Sequence, residues 1–186
     1  SRLHAELPVF NGKGTLMAGM RSSYSNWLLH VMPDAGLKNS SAAFSDGNAQ
    51  LTFNLNKSNR LSLFGYYSAD RFAFNREQDF QYTSLLGSLR WQHTFTDRFF
   101  FELTGAVSHY RYAVAEEDTA KSWEGYSIHS SLLYQSLKWN FSWFPGKAHT
   151  VDFGLNAIRY RISPGERSAL SPVTTVRPMV LPDERA

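Results

Sequence analysis

The sequence predicts an all-β protein: an antiparallel up-and-down sheet of the transmembrane β-barrel kind, with about eight strands in its 186 residues. Three observations carry that expectation. Large apolar and polar residues alternate with period two along most of the chain, between clusters of turn residues. The connections between these runs alternate between short and long. Most of the Phe and Trp residues within the runs fall on the apolar side, near the short connections.

The runs pair in order as hairpins. Leu3, Ala5 and Leu7 lead to a turn around Asn11-Gly12-Lys13, then Leu16, Ala18 and Met20. Leu51, Phe53 and Leu55 lead through Lys57-Ser58-Asn59 to Leu61, Leu63, Gly65 and Tyr67. Leu85, Leu89, Trp91 and Phe95 lead through Thr96-Asp97-Arg98 to Phe99, Phe101, Leu103, Gly105 and Val107. Leu137, Trp139, Phe141 and Trp143 precede a Pro-Gly turn, and Val151, Phe153, Leu155 and Ala157 follow it. Residues opposed across an antiparallel pair share one side of the sheet. Leu55 is therefore expected opposite Leu61, Phe95 opposite Phe99, and Trp143 opposite Val151. Each choice keeps one continuous apolar face. Strands are expected to dominate residues 47–70, 82–112 and 126–162.

The connections near 10–13, 57–59, 96–98 and 144–149 are short. Those near 22–45, 71–80, 114–124 and from 164 onward are longer or more polar. Alternate connections of a meander lie at the same end, so one end has tight turns and the other long loops, as in transmembrane barrels. The rings near the tight turns resemble an aromatic girdle at a membrane boundary. Trp139 and Trp143 on one strand would crowd a sandwich core only about 10 Å thick. The apolar face is thus expected to meet lipid and the polar face to line an interior. Every backbone group in lipid must be paired, which closure of the sheet provides.

Composition removes other classes. There is no Cys, hence no disulfide framework, thiolate metal site or catalytic Cys. The net charge of +3 is dispersed, with no Lys/Arg run of the kind that binds nucleic acid. No 18-residue apolar run is present, so no transmembrane helix is expected. The six His lack metal-ligand spacing, and no nucleophile elbow or phosphate loop appears. The chain is expected to be no enzyme and to need no cofactor or metal.

Candidate functional residues are then the charges on the polar face and the rings and cations at the long-loop end. Arg90, Glu102, Lys138 and Asp152 fall on the polar side and are expected to line the lumen, as wall contacts or contacts to a plug. Glu102 faces Gln92 and lies diagonal to Arg90, within reach of long side chains. Trp27, Arg71, Phe72, Arg76, Tyr112 and Trp123 are expected in extracellular loops, where ligand recognition concentrates.

Several local patterns, in this order, resemble the barrel of TonB-dependent outer-membrane receptors. They are Arg21-Ser22-Ser23-Tyr24 followed by Trp27-Leu28-Leu29; Phe44-Ser45-Asp46 at the start of a strand; Asn59-Arg60-Leu61-Ser62 leading to Tyr66-Tyr67-Ser68; and Ser163-Pro164-Gly165-Glu166. The resemblance implies that residues 1–186 are a middle portion of a barrel of about 22 strands, with the plug domain outside this chain. It implies an active transporter in the outer membrane of a Gram-negative bacterium, taking up a scarce ligand such as a metal chelate, glycan or peptide. The implied partners are the plug, the remaining strands and, through the plug, the inner-membrane TonB energy complex. Two alternatives stand beside it. One is a small complete outer-membrane barrel with an adhesive or structural role. The other is a soluble lipocalin-like binder whose apolar face points inward.

Overall fold

The computed structural model describes residues 1–24, 29, 31, 33, 35–75, 77–116, 124–171 and 175–186. Eight long strands run in sequence order: β1 (Arg2–Val9), β2 (Gly14–Tyr24), β3 (Ser41–Asn56), β4 (Asn59–Phe74), β5 (Gln78–Thr96), β6 (Phe99–Glu116), β7 (Tyr126–Trp143) and β8 (Val151–Ala169). Each pairs antiparallel with the next, and β1 does not pair with β8, so the sheet is open. A single helical turn, α1 (Ala35–Lys38), precedes β3. Two short strands, β9 (Met179–Val180) and β10 (Glu184–Arg185), lie along the far edge of β8 in one register. Pro182, which has no N–H to give, interrupts them.

The pairing follows the hydrophobic alternation. Leu3 faces Met20, Trp91 faces Leu103, Leu89 faces Gly105 and Phe141 faces Phe153, as the pattern requires. Two hairpins depart from the expected register beside their turns. Phe53 faces Leu61 rather than Leu63, because Leu55 sits in a bulge between Asn54 and Asn56. Phe95 is likewise bulged, and Thr96 takes its place opposite Phe99. The β3–β4 pairing lies two residues from the expected register, one because Asn56 pairs directly with Asn59 at the turn and one from the bulge at Leu55; in both hairpins the side chains beyond the bulges keep their expected face. Capping bonds explain the tightness of both turns. The Asn56 side chain accepts from the Ser58 amide at 2.9 Å, and the Thr96 hydroxyl accepts from the Arg98 amide at 3.3 Å.

The connection expected as a loop over 71–80 is short: β4 runs to Phe74 and β5 begins at Gln78, directly opposite it. Asn75 adopts a left-handed φ of 48°, which Asn tolerates better than most residues. The density of charge there reads as a loop, but the period-two pattern continues through it.

Among the described residues no apolar side chain is buried. The apolar face lies open, with Leu155 73% and Phe153 53% exposed. A lipocalin-like barrel needs a closed sheet around an apolar interior. This sheet is an uncovered single layer. The rings on its apolar face touch across strands: Trp91 to Phe101 at 5.6 Å, Phe101 to Phe141 at 5.0 Å and Phe141 to Phe153 at 5.1 Å. The Trp91 indole donates to the Asn59 side-chain oxygen at 3.0 Å, so its polar edge is satisfied at the tight-turn end.

Candidate functional site: the polar face of the wall

The side of the sheet opposite the girdle carries two adjacent rungs of polar side chains. One rung runs Asn54, Arg60, Gln92, Glu102 and Asn140 across β3 to β7. The next runs Thr15, Thr52, Ser62, Arg90, Thr104, Lys138 and Asn156 across β2 to β8. Alternation alone aligns them, because each registered partner points the same way. A hollow of about 620 Å³ opens over the first rung, with Arg60, Gln92, Glu102, Asn140 and Ser142 among its lining residues.

Glu102 is the hub. It accepts from the Gln92 amide at 3.1 Å, its other oxygen lies 3.5 Å from the Thr104 hydroxyl, and Arg90 Nε stands 3.8 Å away. The Arg90 and Glu102 side chains are 52% and 30% exposed, so water still reaches both. Lys138 is in the adjoining column, opposite Asn156, and makes no ion pair among the described residues. Asp152 lies nearer the tight turns, opposite Ser142, apart from the Arg90–Glu102 pair. The fold thus joins two of the four expected lumen charges and separates the others.

Residues expected in loops are redistributed. Arg71 and Phe72 lie within β4 and Tyr112 within β6, because the strands extend well beyond the 9–11 residues a membrane crossing needs. Trp27, Arg76 and Trp123 lie outside the described residues. Consecutive strand residues point to opposite faces, so Arg71 and Phe72 diverge. Phe72 is on the polar-rung side and stacks on Phe80 at 6.3 Å. Arg71 is on the girdle side, above its apolar rows, and holds Asp79 at 2.7 Å. That hydrogen bond is the chief reason the Asp79 carboxyl titrates below the usual carboxylate range.

A set of tyrosines escapes a reading based on loops. Tyr66, Tyr82, Tyr110, Tyr112, Tyr134 and Tyr160 all fall on the polar-rung face, from mid-strand toward the long connections. Tyr82 stacks on Tyr112 at 5.0 Å, and Tyr134 lies 5.3 Å from Tyr160. At the long-loop end the Tyr126 phenol donates to Glu116 at 2.6 Å, a bond that, together with burial, raises its pKa above the ordinary phenol value. The missed signal was parity. On β5 to β7 these tyrosines occupy even positions, where Phe and Trp of the girdle occupy odd ones. Physically, the lower wall offers charges and amides, and the upper wall offers flat rings edged with hydroxyls. Such a surface suits polar ligands that have stackable faces.

No protein-family profile matches the chain, and no curated protein does. One solved structure is similar over 90% of this chain: the outer membrane transporter YddB from Escherichia coli, with a TM-score of 0.62 and 12% identity. The similarity spans 26% of that transporter's chain. The fold described above, an open antiparallel up-and-down sheet, is therefore similar to that of a segment of an outer-membrane barrel.

Proposed function

We propose that the chain forms part of the barrel wall of an active outer-membrane transporter of the TonB-dependent receptor type, in a Gram-negative bacterium. The observation that carries this reading is the division of one uncovered sheet into two unlike faces. One side is an open apolar band edged by rings, with no buried apolar side chain among the described residues. The other side is laddered with polar rungs and tyrosines. Lipid on the first and a plug or water on the second satisfy both faces at once.

In this reading Arg90, Glu102, Lys138 and Asp152 meet the plug or the passing ligand. Trp27, Arg71, Phe72, Arg76, Tyr112 and Trp123 contribute to ligand capture at the outer mouth. The plug and the remaining strands complete the barrel, and the inner-membrane TonB complex acts on the plug. The cargo is a scarce metal chelate, glycan or peptide. Deleting the gene and following uptake of those three classes, with and without a protonophore, tests the proposal. Loss of energy-dependent uptake of one class is expected. Unchanged uptake of all three classes, with the protein recovered in the soluble fraction, would overturn it.

A further inference from the structure

We infer that Arg159, Arg161 and Arg185 form a binding site for the phosphate groups of anionic membrane lipids, on the lipid-facing side of the wall at the upper edge of its apolar band. The inference rests on the membrane reading above. It begins with the order of residues on one face of β8. Val151, Phe153, Leu155 and Ala157 are followed on the same side by Arg159 and then Arg161. Arg161 is ten residues above Val151. At a rise near 3.3 Å per residue and a tilt near 40°, that is about 25 Å, the height of a barrel's apolar band. The two arginines therefore straddle the level where acyl chains give way to headgroups.

The second observation is the pairing across the sheet edge. Arg161 lies directly opposite Arg185 of β10. Like charges in that position repel. All three guanidinium side chains belong to exposed residues, and none is in an ion pair among the described residues. By contrast, Arg21, Arg71 and Arg90 each hold a carboxylate. On the other flank the same face offers only Leu133 and Gln135 of β7. The carboxylates nearest in sequence are Glu184, which lies opposite Ile162 and so points to the other face, Asp183, just before β10, and Glu166, beyond the bulge of β8; none pairs with the three arginines. Beyond Arg161 along β8, a separate hollow of about 410 Å³ has Arg111, Ser131, Ser163 and the Glu166 carboxylate on its wall, and none of the three arginines lines it.

A phosphate between Arg161 and Arg185 would relieve their repulsion. The planar guanidinium matches its oxygens in pairs, and the aliphatic stem of Arg159 can rest on the apolar band while its head reaches the boundary. A basic side chain close to an anionic leaflet is worth about a fivefold preference.

The test uses the whole protein, reconstituted in vesicles, with a single dye-labelled cysteine introduced by Ala157→Cys just below the arginines. Quenching by brominated phosphatidylglycerol is compared with quenching by brominated phosphatidylcholine. A preference of at least about fivefold for the anionic lipid is expected. It should disappear in Arg159→Gln/Arg161→Gln/Arg185→Gln and persist in the corresponding triple Lys variant and in Arg90→Gln on the opposite face. A gel-mobility shift on heating confirms that each variant is folded. Equal quenching by both lipids, or a preference that survives the triple Gln variant, overturns the inference while leaving the membrane reading intact. No quenching by either lipid overturns the membrane reading itself. Loss of the preference on adding inorganic phosphate at constant ionic strength assigns the cluster to soluble phosphate and overturns the lipid assignment.

Discussion

Glu102 shows how little a single wall charge needs to contribute to stability. Its bonds to Gln92, Thr104 and Arg90 form a network, but Arg90 is half exposed at 3.8 Å. Exposed pairs contribute roughly 0–1 kcal/mol. A double-mutant cycle between Arg90→Ala and Glu102→Ala, read by urea unfolding in vesicles, should therefore return a coupling below about 1 kcal/mol. A larger coupling would mean that the hollow excludes water. Asp79 offers a second residue-scale test, above the apolar rows. Its folded pKa is depressed by Arg71, so the stabilisation is fully present above the ordinary Asp range. It is lost as pH falls through the depressed value. Amide protection of Glu77, whose N–H donates to the Phe74 carbonyl, corrected for intrinsic exchange, should hold at neutral pH and decline below the usual carboxylate range. In Asp79→Asn that decline should be absent.

At the scale of the element, the strands are held by close backbone approach and by depth in the bilayer. A Cβ added at Gly154 would collide with the backbone oxygen of Trp139, whereas one at Gly65 would meet nothing within 4 Å. Backbone cannot yield as a flexible side chain can. Gly154→Ala should cost about 1–3 kcal/mol by loosening β7 from β8. Gly65→Ala should cost almost nothing in the same unfolding assay. Depth is best compared along one strand, because tilt confuses heights between strands. Leu155 stands four residues above Val151 on β8, about 10 Å higher. An arginine costs about 2–4 kcal/mol at mid-membrane and about 0–1 kcal/mol at the boundary. Leu155→Arg should consequently destabilise the folded protein in bilayers more than Val151→Arg. Equal small losses would place neither residue in lipid.

For the whole molecule the decisive property is sidedness. Cysteines at Leu51, Leu89, Leu103 and Phe141 share the apolar face; those at Thr52, Ser88, Thr104 and Asn140 share the other. The chain has no native Cys to confuse the result. In membranes the first set should react with lipid-soluble maleimides only, and the second with water-soluble ones if the lumen is wet. The reverse pattern would turn the sheet inside out.

Much of this was written into the sequence. Alternation with period two is local, so it fixes which residues share a face before any strand has a partner. Leu89 against Gly105 and Phe141 against Phe153 could be read directly, as could the Arg90–Glu102 diagonal. Turn positions were legible for the same reason. What the tertiary structure decided depends on neighbours. The bulges at Leu55 and Phe95 arise where a turn's own geometry competes with the ladder, and pattern alone is silent about which residue is squeezed out. The extension of β4 through Arg71 and Phe72 was concealed by the charges around them, because above a membrane band a strand no longer needs apolar residues to stay paired. The tyrosine wall and the facing pair Arg161–Arg185 required the register across several strands, since residues distant in sequence become neighbours only when each ladder has locked to the next.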